Sequence, residues 1–117
     1  MATQGLVSVI RDGSMLFKVV AGANGFRADE VAAWARLHSW QITAQALFEA
    51  AVEIGFGGRT SLVVQDASGA MVFDKSAISE EDLTGLYLDR GRFDDPRASP
   101  RSEVGTSEYV EIVELAG

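Results

Sequence analysis

The chain has 117 residues, of which 47% are hydrophobic, and it carries a formal net charge of -7. This size suits a single domain, residues 1–117, with a substantial core, and the apolar content excludes a chain that is disordered throughout. Because an acidic domain is repelled by phosphate backbones, nucleic acid is excluded as an expected partner.

The absence of cysteine excludes disulfides, thiolate nucleophiles and cysteine-based metal sites. No apolar run reaches the roughly 18 residues that a membrane helix needs. The first residues lack the basic region and apolar block of a secretion signal. We therefore expect a cytoplasmic protein without membrane association, and we predict no cofactor and no metal.

Two hairpins are predicted in the first two thirds of the chain. Leu6–Val20 turns at Asp12-Gly13, a dipeptide that accepts the positive φ of a tight turn, and Thr60–Asp74 turns near residues 67–69. The strands of the first hairpin carry apolar residues on both faces. Two explanations stay open: the sheet is covered on both sides, or one side is an oligomer contact.

Helices are expected between and after these hairpins. Asp29–Trp40 has an apolar stripe and two acids in its first turn, and Ala44–Ile54 follows with Thr43 as cap and Gly55 as stop. Asp82–Asp89 is predicted as a third helix because a serine and acids precede it.

The last part of the chain combines an irregular stretch with a strand. Residues 91–107 contain both prolines and predict a long loop. Tyr109–Leu115 is rich in β-branched residues, which favours a strand, although its glutamates recur every three residues as in a helix. The fold class we predict is α+β: a mostly antiparallel sheet of about five strands, made of two hairpins and a C-terminal strand, with about three helices.

The predicted core is drawn from the apolar positions of these elements. It comprises Val7, Val9, Val31, Trp34, Leu47, Phe48, Ala51, Val63, Met71, Phe73, Leu83, Leu86, Val110 and Ile112, and we also expect Trp40, Phe56 and Tyr87 to be buried.

A few residues in turns and loops are candidates for contacts with a protein partner. Aromatic residues in turns and charged residues in the long loop are suited to docking. The candidates are Phe26, Arg59, Arg92, Phe93, Asp94 and Asp95.

A catalytic set cannot be assembled from the sequence. His38 is the single histidine, and Ser39 points about 100° away from it on a helix, so the two do not form a nucleophile–base pair. The glycine-rich segment 55–60 leaves a helix C-terminus and enters a strand, the reverse of a phosphate-binding loop. Asp94, Asp95 and Glu103 could bind a divalent cation, but pairing with the surrounding arginines explains them equally well.

The order of elements from Thr3 onwards resembles the opening of an N-terminal nucleophile hydrolase domain, as in proteasome β-type subunits. The resemblance covers residues 3–74: a threonine, a hairpin at Asp12-Gly13, two helices and a second hairpin. Members of that family need a free α-amino group on the nucleophile and a supporting lysine, so the resemblance implies either a fold relative that has lost the hydrolase chemistry or an unusual processing step that exposes Thr3. Thr3 follows Met1-Ala2, however, and Lys18, the lysine of the first half, lies inside a strand.

We therefore predict a small acidic interaction or regulatory protein without catalytic activity, which binds a protein partner or forms a homodimer. The first alternative is a hydrolase-like relative of the N-terminal nucleophile group. The second is an acidic mimic of nucleic acid that blocks a basic protein surface, because residues 74–117 carry eleven acids and five bases.

Overall fold

The described residues form a mixed β-sheet with two α-helices packed on one face. A computed structural model describes residues 3–58, 62–66, 71–74, 93–98 and 109–115. The elements within these ranges are β1 (Gly5–Arg11), β2 (Ser14–Ala21), α1 (Ala28–Leu37), α2 (Ala44–Ile54), β3 (Leu62–Asp66), β4 (Met71–Asp74) and β5 (Tyr109–Leu115).

The strand order across the sheet is β4-β3-β2-β1-β5. Neighbouring strands are antiparallel, as expected for hairpins, except that β5 runs parallel to β1. The predicted strand at Tyr109–Leu115 is confirmed. Its parallel pairing with β1 is a long-range contact that the local pattern did not indicate.

The first hairpin turns where the sequence predicts. Asp12 has a φ of 53° and Gly13 a φ of 77°. Positive φ at both central residues matches the right-handed twist of the flanking strands, which is why an Asp-Gly pair favours this turn. The predicted hairpin is therefore confirmed together with its turn.

The second helix begins and ends at the predicted residues. The Thr43 hydroxyl accepts a hydrogen bond of 3.1 Å from the Ala46 N–H at the helix start. At the other end Gly55 has a φ of 93°, and its N–H donates to the carbonyls of Ala51 and Val52. Both termini follow from local chemistry, so the prediction of Ala44–Ile54 is confirmed.

The first helix is shorter than predicted. It ends at Leu37, the His38 N–H still reaches the Trp34 carbonyl at 3.1 Å, and Ser39–Gln41 forms a 3-10 turn. The tighter turn carries Trp40 out of the buried stripe, and 77% of that residue is exposed. The expectation that Trp40 belongs to the core was wrong.

The core lies between the helices and one face of the sheet. It includes Val7, Val9, Val31, Leu47, Ala51 and Phe56, all fully buried as expected. Four predicted core residues are only half-buried, because they lie at the margin of this cluster or on the edge strand: Trp34, Phe48, Val110 and Ile112.

The fold class α+β is confirmed by the helices and the mixed sheet. The predicted third helix at Asp82–Asp89, with Leu83, Leu86 and Tyr87, lies outside the described residues, as do the side chains of Met71 and Phe73. In the described ranges neither helix is long and apolar enough to cross a membrane.

Candidate functional site

A row of three polar side chains crosses the sheet face opposite the helices. Ser8 on β1 is directly opposite Lys18 on β2, and Lys18 is opposite Gln65 on β3. All three residues have 0% exposure. Buried polar groups require hydrogen-bond partners, so this row needs a polar cover.

Residues 93–98, here called the strap, supply that cover. The Lys18 ammonium donates to the carbonyls of Asp95 (2.6 Å) and Ala98 (2.7 Å), and the Ser8 hydroxyl donates to the carbonyl of Pro96 (2.7 Å). Phe93 is fully buried, with the Lys18 nitrogen 5.8 Å from its ring centre. Of the two open explanations for the doubly apolar strands, cover by the chain itself accounts for this part of the second face.

Burial lowers the pKa of the Lys18 ammonium from 10.5 to about 8, and the nearby carboxylates of Asp95 and Asp94 oppose this shift. Desolvation disfavours the charged form, while negative charges favour it. The lowered value means that burying the ammonium destabilises the folded state at neutral pH, in spite of its two short hydrogen bonds.

This lowered pKa predicts how stability depends on pH. Between about pH 8 and pH 10.5 the unfolded chain binds the Lys18 proton and the folded chain does not, so the free energy of unfolding rises with pH, by up to roughly 3 kcal/mol. Lys18→Met is expected to lack this rise. Urea denaturation of both proteins at several pH values in this window checks it; equal slopes would contradict it.

The polar row holds the strap and is not arranged for nucleophilic attack. An activated serine donates its proton to a base, whereas Ser8 donates to a backbone carbonyl. Lys18 lies opposite Ser8 on the neighbouring strand. Ser8 follows Thr3 by five residues, which span about 16 Å in an extended strand. Lys18 is therefore not positioned to support Thr3 as a nucleophile.

His38, the other catalytic candidate, is engaged in a local contact. Its ring stacks on Trp34 with centres 4.4 Å apart, and Nδ1 lies 2.9 Å from the Trp34 carbonyl. Because a carbonyl only accepts, Nδ1 is the donor in this contact. The histidine thus stabilises the end of α1.

A second surface feature is an exposed stripe along the outside of α1. We define the outer stripe as Phe26, Glu30, Ala33, Leu37 and Trp40. All five residues are exposed, and exposure reaches 75% at Leu37 and 77% at Trp40. Their spacing alternates between four and three residues, so they follow one side of the helix and its two flanking 3-10 turns.

The end of the outer stripe that carries Trp40 is anchored on both sides. The Arg11 guanidinium donates from β1 to the Ser39 carbonyl at 2.8 Å, next to Trp40 in the chain. The stack of Trp34 and His38 fixes the preceding turn. The backbone that carries Trp40 is therefore fixed by contacts on both sides. This lowers the conformational entropy that the chain loses when a partner binds.

The six predicted partner contacts are placed differently. Phe26 is 49% exposed, with the Arg27 guanidinium 5.4 Å from its ring centre, and both Asp94 and Asp95 are exposed. The expected exposure of Phe93 was wrong, because its ring fills the space between strap and sheet. Arg59 and Arg92 lie outside the described residues.

The cation site considered at Asp94 and Asp95 is not assembled by the residues described. Within these ranges no group of three potential metal ligands comes together, and Glu103 lies outside them. One carboxylate oxygen of Asp95 instead accepts a hydrogen bond of 3.0 Å from the Arg97 backbone N–H. This contact shapes the strap.

Sequence reasoning identified Phe26 of the outer stripe as a candidate contact, but it missed the other residues of the stripe and the buried polar row. A lysine inside an apolar strand is the signal that could have identified the covered row, because such a charge needs partners. Leu37 falls outside the predicted apolar stripe of α1, which could have marked it as exposed.

Comparison of the chain with protein-family models, curated proteins and solved structures finds no match.

Proposed function

We propose that this chain is a non-enzymatic protein-interaction module and that the outer stripe of α1 is its binding surface. The observation that carries the proposal is the exposure of Leu37 and Trp40, three quarters or more of each, side by side at the end of a helix whose opposite face is in the core. Tryptophan, tyrosine and arginine contribute most of the binding energy at protein interfaces when they are desolvated, so Trp40 is the expected anchor.

The contacts that hold the backbone beside Trp40 support the proposal. Arg11 donates a hydrogen bond to the carbonyl of the residue before Trp40, Ser39, and the Trp34–His38 stack holds the turn that precedes it. Exposed tryptophan on a mobile loop would lose conformational freedom on binding, whereas a pre-ordered residue loses little. This arrangement suits a docking surface better than a randomly exposed side chain.

We propose a chain without catalytic activity because its described reactive side chains make structural contacts. Lys18 and Ser8 donate to carbonyls of the strap, and His38 donates to the end of α1. Each group is committed to a structural contact, which leaves no described pair of nucleophile and base in reach of each other.

The two alternatives have less support. A hydrolase using Thr3 would need a supporting lysine, and Lys18 faces Ser8 instead. A mimic of nucleic acid requires the carboxylates of residues 80–114 on one face, and six of these ten lie outside the described residues: Glu80, Glu81, Asp82, Asp89, Glu103 and Glu108. Both alternatives stay predictions.

Photo-crosslinking from the outer stripe tests the proposal. Leu37→benzoylphenylalanine places a photoreactive ring on the stripe, and Glu53→benzoylphenylalanine places the same ring on an exposed position of α2 as a matched control. After irradiation in extract of the native cells, we expect a discrete adduct from position 37 that position 53 does not form.

Adding Trp40→Ser to the Leu37 variant is expected to abolish the adduct, because the neighbouring anchor is lost. Mass spectrometry then identifies the partner as a second copy or another protein. The proposal is wrong if positions 37 and 53 give the same products, or if the Trp40→Ser change leaves the adduct intact.

A further inference from the structure

We infer that the partner at the outer stripe is a second copy of this chain, with two α1 helices packed antiparallel about a two-fold axis near Ala33. This inference rests on the proposed function, since it names the occupant of the same surface. It is carried by the charge pattern and the spacing of the stripe.

The charged residues beside the stripe are arranged for such a pairing. Asp29 and Arg36 are both exposed and lie seven residues apart, so at 100° per residue they fall on the same flank of α1. Two helical turns separate them by about 10.5 Å, too far for a pair within one helix. Neither forms an ion pair with another residue that the structure describes, so their opposite charges can meet those of another molecule.

Antiparallel two-fold packing brings these charges together twice. In that arrangement each flank meets the same flank of the other helix in reversed order, so Asp29 of one copy faces Arg36 of the other. Arg36 already donates one N–H to the Ile112 carbonyl at 3.2 Å, and the guanidinium has four more donors. A parallel two-fold arrangement would instead place this flank beside the opposite flank of the other helix, so Asp29 and Arg36 would not meet.

The side chains of the stripe are smallest at its middle and largest at its ends, as close packing about a two-fold axis requires. Ala33, the smallest of its side chains, lies next to the midpoint between Asp29 and Arg36 and allows the two helices to approach closely. The large residues stand at the ends, where Phe26 of one copy meets Trp40 of the other. Two aromatic pairs thus close the interface at either end.

The contact is expected to be weak. Ten residues of α1 span about 15 Å, so the interface is at the small end of specific protein contacts and its dimer forms at micromolar concentration. Because the charge pairs lie at the rim, the association weakens as salt increases.

A charge-reversal experiment tests the orientation. Asp29→Lys or Arg36→Glu alone places like charges opposite each other twice, and we expect each to weaken dimerisation at least tenfold in sedimentation equilibrium at low salt. An equimolar mixture of the two variants restores opposite charges at both contacts, so it is expected to associate as the parent chain does. Glu53→Lys on α2 is the control with the same charge change as Asp29→Lys, and it should leave dimerisation unchanged.

The outcomes separate this inference from the proposed function. Circular dichroism first confirms that each variant is folded. A parent chain that stays monomeric at 100 µM (about the upper end of the range in which weak contacts form), or a mixture that does not associate, overturns the dimer. If the adduct from position 37 then contains a different protein, the interaction surface stands and the second copy is the wrong occupant; if there is no specific adduct, both are wrong.

Discussion

Gly25→Ala is expected to unfold the chain or to lower its free energy of unfolding by about 4 kcal/mol. This is the largest effect that we predict for the addition of one methyl group. A Cβ at Gly25 would lie 2.2 Å from the carbonyl carbon of Gln4 and 2.4 Å from the Gly5 nitrogen. These are backbone atoms, which cannot turn aside as the end of a side chain can. The Gly25 N–H also donates to the Thr3 carbonyl at 2.8 Å, so the two segments cannot separate without losing that bond.

Gly13→Ala is the matched control for this substitution. Gly13 has a φ of 77° but, apart from its chain neighbours, no described atom within 4 Å of the place its Cβ would take, whereas Gly25 is crowded and has no positive φ. The control isolates backbone strain, worth about 1 kcal/mol. Thermal and urea denaturation measure both variants, and similar losses of stability in the two would contradict the close packing at Gly25.

Phe56→Ala is expected to destabilise the fold by about 3–5 kcal/mol, in the range of large aromatic residues deleted from a core. Phe56 has 0% exposure and its ring reaches to 2.7 Å from where a Cβ at Gly5 would stand. It therefore packs the start of β1 against the exit of α2. The next residue ties the same junction, because the Gly57 N–H donates to the Ala23 carbonyl at 2.9 Å.

Phe26→Ala serves as the control for a phenylalanine at the surface. Because Phe26 is about half exposed, its removal should change the free energy of unfolding by no more than about 0.5 kcal/mol. The same variant should weaken association through the outer stripe. Equal destabilisation by the two substitutions would show that Phe56 is not the packing centre of this junction.

The features that local chemistry specifies were predictable from the sequence. Asp12-Gly13 forms the first turn, and Thr43 and Gly55 bound α2, because each depends on bonds between residues close in the chain. The C-terminal strand was also identified from its β-branched residues. Its place beside β1 was not, since nothing local distinguishes one apolar strand from another as the partner.

The candidate site was mostly beyond such reasoning. Lys18 finds its carbonyl partners 77 and 80 residues away, so neither its burial nor its lowered pKa follows from neighbouring residues. The burial of Phe93 likewise depends on residues distant in the sequence, since its ring lies against Lys18. Trp40 was misjudged because the apolar period continues past the point at which His38 ends the helix.

We propose above all that the outer stripe of α1 binds protein, and crosslinking from position 37, compared with position 53, is the sharpest test of it. We expect one discrete covalent product from the stripe, lost when Trp40 is replaced by serine. Indistinguishable products from the two positions would contradict it.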